Sequence, residues 1–363
     1  DPSFDVQPVG NAAAGPFRRD AGLRFVPGNV PQQPGARREV VEIDPGNVRH
    51  AITLRPELAR QVRGEGGIGS PVEVGAALKT IAADRLKAGK PLTFGVVHRY
   101  SSHNYMLRYW LAACGIRPDH DVDISTVPPP FCADALKQGE VDGICVGEPW
   151  NSVAVSRGVG EIVLSTAQIW RRGVEKVLAM RQNVLEEKRE VVERLIRALC
   201  RAGEHFVDPE NWDSNADILA RPENLDGSAD LIRKAISDQL LIAREGPLVH
   251  YPDFMFQHRE AANFPWVSQA EWLYTQMVRW DGTPFDAEEC RKAAGVFRPD
   301  VYRSALLGTG APLPGASSKV EGSLESSTVV GTQQGSIMLE KNTFFDGVVF
   351  DPNDIEGYLS RLP

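Results

Sequence analysis

Tyr100-Ser101-Ser102-His103-Asn104-Tyr105 sets an imidazole among hydroxyls directly after the apolar run Leu92-Thr93-Phe94-Gly95-Val96-Val97. Where a strand gives way to a helix at the carboxyl end of a parallel sheet, the first helical N–H groups are unpaired and the helix dipole is positive. A monoanion suits that place, and His103 with Ser102 can add directional hydrogen bonds to it. The same residues also make an ordinary helix start, with Ser102 as a cap and His103 as a solvated turn residue. A second stretch, Gly147-Glu148-Pro149-Trp150, follows another apolar run, Gly143-Ile144-Cys145-Val146. Gly147 lets backbone approach a ligand closely, Glu148 can orient a cation and Trp150 can shut out water. As plain structure the four residues are a turn with a packed indole. Third, Glu175-Lys176 precedes Val177-Leu178-Ala179-Met180. A lysine aimed into a cleft neutralises an anion as a compact charge, although most lysines are simply solvated.

Covalent catalysis has little support. The chain carries no hydrolase elbow, Walker loop, dinucleotide fingerprint or zinc-protease helix. Its seven histidines are scattered, and the five-residue gap between His98 and His103 is not a ligand spacing. Asp119, Asp121 and Asp123 alternate around His120 without the glycine and distal glutamate of a calcium loop. No metal site and no cofactor are expected.

The elements that would position these residues alternate. Ser70-Pro71-Val72-Glu73 opens a helix with a hydroxyl cap, a first-turn proline and a glutamate three positions on, and that helix stops near Gly89. Strands are expected at 92–97, 122–127, 143–146, 161–164 and 177–180, with helices at 102–113 and 131–137. Such alternation implies right-handed crossovers and a largely parallel sheet. After Met180 the chain reads as mostly helical, with apolar stripes through Val192, Leu195, Ile196 and Leu199, from Ser228 to about Ala243, and from Ser268 to Trp280. Residues 308–335, rich in Gly, Ser, Thr and Pro, read as a loop or tether, and 344–362 regain apolar character. Residues 1–50 stand apart: seven Pro, six Gly, six Arg and no Lys, with no lasting period.

The 363 residues suffice for two lobes, and 42% hydrophobic with 24% charged residues is a globular balance. A net charge of −8 argues against direct nucleic-acid binding. No apolar run approaches the roughly 18 residues of a membrane span. Five widely spaced cysteines cannot all pair, so free buried thiols are expected, which favours the cytoplasm. Because the chain begins at Asp1, a removed leader and a periplasmic location form the alternative.

At His103-Asn104-Tyr105, Leu107-Arg108-Tyr109-Trp110-Leu111, Val127-Pro128-Pro129-Pro130, Cys145-Val146-Gly147-Glu148-Pro149-Trp150 and Glu175-Lys176-Val177-Leu178, the chain resembles the nitrate-binding proteins of bacterial ABC importers. The resemblance is nearest to their cytoplasmic nitrate/nitrite-sensing relatives. It continues through Ala262-Asn263-Phe264-Pro265-Trp266 and Phe344-Phe345-Asp346-Gly347, so it spans most of the chain from His50 onward.

What the resemblance implies is an α/β, periplasmic-binding-protein-like fold, two α/β lobes with a ligand cleft, the first lobe incomplete at its N-terminus. The expected division is 1–50 atypical, 51–90 with 177–307 as lobe 1, 91–176 as lobe 2, and 308–363 as tether and C-terminal segment. By position, His103 and Lys176 would contact the anion, and Gly147 and Glu148 would line the site. His50 stands where the family places an Asn or Gln contact before Ala51-Ile52-Thr53. Lys176 favours nitrate over bicarbonate, whose branch uses an acidic residue and calcium there. The expected function is that of a cytoplasmic sensor of nitrate or nitrite controlling an antiterminator protein of nitrate assimilation, with the substrate-binding subunit of a nitrate ABC importer as the alternative. For an importer subunit the expected partner would be an ABC permease. An enzyme of the thiamine-pyrimidine synthase type shares the general fold, but it is similar only to that extent: such enzymes carry a cysteine-rich motif, and Cys145 is isolated.

Overall fold

The computed structural model describes residues 47–48, 50–63 and 68–363. All belong to one unit of the chain, Arg37–Pro363. The Pro-, Gly- and Arg-rich segment 1–50 therefore lies outside the described residues except for Asn47, Val48 and His50.

Six strands come from the first half of the chain: β1 (Asn47–Val48), β2 (His50–Leu54), β3 (Leu92–Val96), β4 (Val122–Thr126), β5 (Gly143–Gly147) and β6 (Glu161–Ser165). Five of them form a sheet of order β4-β3-β5-β2-β6. β3 runs parallel to β4 and β5, as the strand–helix alternation requires, whereas β2 runs antiparallel to both of its neighbours. The sheet is mixed, not largely parallel. Every residue of β2, β5 and β6 is buried, which explains their unbroken apolar character. β4 sits on the edge and turns Asp123, Ser125 and Thr126 to solvent, polar groups that discourage pairing with another chain. The strand His50–Leu54 lies in the interior of the same sheet as Leu92–Val96 and Gly143–Gly147.

Helices close over this sheet where their caps predict. Ser70 accepts the N–H of Glu73 at 3.2 Å and donates to its carboxylate at 2.8 Å, fixing the start of helix Pro71–Lys87. That helix meets helix Ser102–Ala113 closely: a Cβ on Gly75 would come within 2.2 Å of the Cys114 sulfur, and the Trp110 indole donates to the Pro71 carbonyl at 2.9 Å. Beneath them the core gathers Phe94, Tyr109, Trp110, Trp170 and Trp272 with Phe344, Phe350 and Tyr358 from the end of the chain. Trp170 stacks on Phe344 at 4.8 Å, and the Trp272 indole donates to the Tyr358 hydroxyl at 2.9 Å.

Three expectations are corrected here. Val177–Met180 is not a strand: Val177 is exposed, and Leu178 and Met180 pack on a separate core around Val192, Ile196, Phe264 and Tyr302. The outer edge of β6 is occupied instead by backbone bonds from Gly69 to Val163 and from Ile162 to Ile242. The helix beginning after Ser228 stops at Ile236, well short of Ala243, because Asp238 adopts a φ of 60°. Its carboxylate accepts the N–H groups of Asp253 and Met255, starting the hairpin Gln239–Leu241 with Leu248–His250. Residues 308–335 form an irregular but anchored path: Glu321 is fully buried, pairs its backbone with Phe350, and Thr328–Thr332 forms a hairpin with Gly335–Leu339. All five cysteines are free; Cys132, Cys145, Cys200 and Cys290 are buried as expected, whereas Cys114 is half-buried. Among the described residues, no helix is long and apolar enough to cross a membrane.

Candidate functional site

The antiparallel pairing of His50 with Gly147 brings the start of β2 beside the carboxyl end of β5. The helix that follows β3 begins at Ser102, so His103 arrives at the same edge of the sheet. The segment after helix Thr166–Ile169 runs irregularly through Glu175 and Lys176. Thr166 anchors the first strand residue, its hydroxyl donating to the His50 carbonyl at 3.2 Å and lying 3.3 Å from the His50 N–H.

Three segments far apart in sequence meet at one carboxylate. The Glu175 Oε1 lies 2.7 Å from His50 Nε2 and 3.8 Å from His103 Nε2, and the Lys176 ammonium donates to Oε1 and Oε2 at 2.7 and 2.6 Å. The two imidazoles are stacked, with centroids 3.5 Å apart. His50, His103 and Glu175 are almost wholly buried, with side-chain exposures of 3%, 9% and 5%. The Lys176 side chain, at 51%, faces outward. Burial holds the His103 pKa well below the usual histidine value, with further lowering from neighbouring His50; Glu175 opposes this, and Lys176 adds to it. His103 is therefore neutral near pH 7. Its Nδ1 is buried without a hydrogen-bond partner among the described residues.

The remaining residues singled out from sequence divide. Ser102 is buried in the first turn, but Ser101 is the cap, accepting the Asn104 N–H at 3.2 Å. Among the described residues no hydrogen bond joins Ser102 to Glu175. Gly147 contributes backbone only, as the residue paired with His50. Trp150 packs with Val127, Val153 and the cluster around Leu136 and Ile144 rather than with the imidazoles. Glu148 is half-buried, with one carboxylate oxygen accepting the Ser152 N–H at 3.1 Å and the other, enclosed, without a partner among the described residues. Burial raises its pKa to about 6, against hydrogen bonds from Ser152 and Asn151 that lower it. Glu148 and Lys176 line a cavity of about 350 Å³ whose other walls are mainly aliphatic, including Leu199, Ile232, Ile236 and Met255. His50 and Glu175 line a smaller one of about 20 Å³ with Met106, Thr166 and Trp170. Lys176 thus reaches from the imidazole pair to the larger cavity.

Glu175 is the residue that sequence reasoning undervalued, since Lys176 beside it drew the attention. The available signal was physical: two histidines placed at one sheet edge and buried there need a polar partner, and Glu175 is the acidic neighbour of the lysine already assigned to that cleft.

The chain matches the NMT1-like family over residues 50–220. It is 31% identical over 291 residues to the nitrate import ATP-binding protein NrtC of Synechocystis, covering 79% of this chain and 40% of that protein. It is 31% identical over 294 residues to the nitrate/nitrite binding protein NrtA of Nostoc, covering 77% of this chain and 60% of the relative. It is also 31% identical over 284 residues to the bicarbonate transport ATP-binding protein CmpC of Synechococcus elongatus, covering 77% and 38%. The chain thus spans about 40% to 60% of the length of these relatives. In three dimensions it resembles the crystal structure of the periplasmic nitrate-binding protein NrtA from Synechocystis, with a TM-score of 0.75, 22% identity, and coverage of 90% of this chain and 78% of the other. That likeness shows the fold, the α/β architecture of periplasmic binding proteins.

Proposed function

We propose that this chain, which is similar to nitrate/nitrite-binding and bicarbonate-transport proteins of ABC importers, binds nitrate or nitrite without transforming it, as the substrate-binding component of an importer. The observation that carries the reading is the convergence of His50, His103 and Lys176 on one carboxylate. A carboxylate is planar and spreads a single negative charge over its oxygens, as nitrate and nitrite do. A set of N–H donors that surrounds one can surround the other. For a free anion to enter, Glu175 must turn away from the imidazoles, and the half-exposed Lys176 can follow the incoming charge.

The relatives' names support import over sensing, since NrtC is named for nitrate import and CmpC for bicarbonate transport. In the sensor alternative the protein would hold an antiterminator and release it when ligand shifts the lobes toward closure. A gene neighbourhood with a permease favours import, and one with a response-regulator-like antiterminator favours the sensor. Import implies a location outside the cytoplasmic membrane, which cell fractionation tests. Its free thiols are compatible with that setting: Cys132 and Cys290 are buried with pKa values raised to about 12, and Cys145 is fully buried and raised further.

Isothermal titration with nitrate, nitrite, bicarbonate and an alkyl sulfonate tests the proposal. Saturable heat with nitrate or nitrite and weaker response to the others supports it. Preference for bicarbonate or the sulfonate, or no response to any of the four, overturns it.

A further inference from the structure

The two buried imidazoles and the buried carboxylate also form a ligand set of another kind. The structure assigns to His50, His103 and Glu175 a site for one divalent transition-metal ion of the zinc class, a reading that does not depend on nitrate binding. One donor atom from each of the three residues lies within 4.8 Å of the others. Tetrahedral zinc, with nitrogen and oxygen ligands at about 2.0–2.2 Å, spaces those ligands about 3.4 Å apart. The observed separations from Glu175 Oε1, 2.7 Å to His50 Nε2 and 3.8 Å to His103 Nε2, lie on either side of that value. Reaching it takes a change of less than an ångström in each of these two distances, together with a splaying of the stacked rings.

The surroundings suit an ion held by three protein ligands. His50 sits on a fully buried strand and His103 on the first turn of a helix, so both are placed by rigid elements. The cavity of about 20 Å³ beside His50 and Glu175 is enough for about one water, which supplies a fourth ligand. Two imidazoles with one carboxylate select borderline metals such as zinc over calcium, which prefers an all-oxygen shell. Lys176 opposes the ion, because its ammonium occupies both oxygens of Glu175. Its exposed side chain lets it leave, but its charge weakens metal binding for as long as it stays near.

Lys176 therefore separates the two ligands. Lys176→Met removes a positive charge that a metal ion repels and an anion attracts, so it tightens zinc binding several-fold while weakening nitrate. The experiment is titration of the chelator-stripped full chain with zinc chloride in nitrate-free buffer, with calcium chloride as the comparison. The unaltered chain takes up one equivalent of zinc and prefers it to calcium. His103→Ala and Glu175→Gln each weaken it by more than about 100-fold, beyond the loss of a mere outer-shell partner. No saturable zinc binding, equal affinity for calcium, or zinc binding that survives both substitutions on surface groups such as His120 and Asp121 would overturn the assignment. If the substitutions unfold the chain by circular dichroism, the visible spectrum of the unaltered chain with cobalt(II) decides: an intense low-coordinate band supports the site and the weak hydrated-ion spectrum rejects it. A nitrate titration of the metal-free chain is scored separately, so failure of either reading leaves the other standing.

Discussion

The imidazole rings of His50 and His103 lie face to face, their centroids 3.5 Å apart and their planes 24° from parallel. Two imidazolium ions in that arrangement would repel strongly in a buried setting, which adds to burial in holding the His103 pKa low. Both Nε2 atoms are directed at Glu175, with His50 at hydrogen-bonding distance and His103 farther off at 3.8 Å. The carboxylate stands where the proposed anion would be received.

Glu175→Gln should therefore tighten nitrate binding. The substitution removes a negative charge that competes for His50, His103 and Lys176 while keeping the side-chain shape. An increase of about tenfold, equivalent to about 1.4 kcal/mol, is expected by isothermal titration. Weaker binding by the variant would mean that Glu175 assists the ligand and does not compete with it.

Lys176→Ala should act in the opposite direction. Loss of a hydrogen bond to a charged group costs about 1.5–3 kcal/mol, and the half-exposed ammonium places the effect near the low end. Nitrate affinity unchanged within error would remove Lys176 from the site.

These opposed effects show what the sequence could and could not convey. Apolar runs and helix-start signals located Leu92–Val96, Gly143–Gly147 and the helix carrying His103, because local pattern governs them. The position of His50 was marked by the resemblance, but its stacking on His103 follows from β2 running antiparallel to β5, a long-range pairing with no local signature. Val177–Met180 had strand composition and found no strand to pair with, since backbone from Gly69 and Ile242 had already taken the edge of β6. Asp238 ended a helix through a left-handed φ and two tertiary hydrogen bonds, which the apolar stripe around it could not reveal.

Glu148 should make stability depend on pH between about 4.5 and 6. Burial raises its folded pKa from 4.5 to about 6, so the folded state holds the proton more tightly than the unfolded chain does. Stability then falls as the pH rises through that window, and the full loss, about 2 kcal/mol, is present above it. Glu148→Gln should flatten this segment of the profile and raise the urea midpoint at pH 7 more than at pH 4.5. A variant whose midpoint changes equally at both values would assign the effect to packing.

Lys319 and Glu321 should prove energetically coupled. Glu321 is fully buried, accepting from the Ser268 hydroxyl at 2.9 Å and the Asn342 amide at 3.1 Å, with the Lys319 ammonium at 3.5 Å. Burial raises its pKa and Lys319 works against that rise, so the ammonium favours the charged form. Lys319→Met leaves a buried carboxylate with less compensation, and a loss of about 1–3 kcal/mol is expected in urea unfolding at pH 7. Adding Glu321→Gln removes the charge that Lys319 balanced, so the double variant should recover part of that loss. The same contacts fix Phe350 through the backbone pairing of Glu321, and Phe350 packs edge-on against Tyr358 in the core beneath the imidazole site. Strict additivity of the two substitutions would show that Lys319 acts through its packing on Trp266, whose ring lies 4.7 Å from the ammonium, and not through its charge.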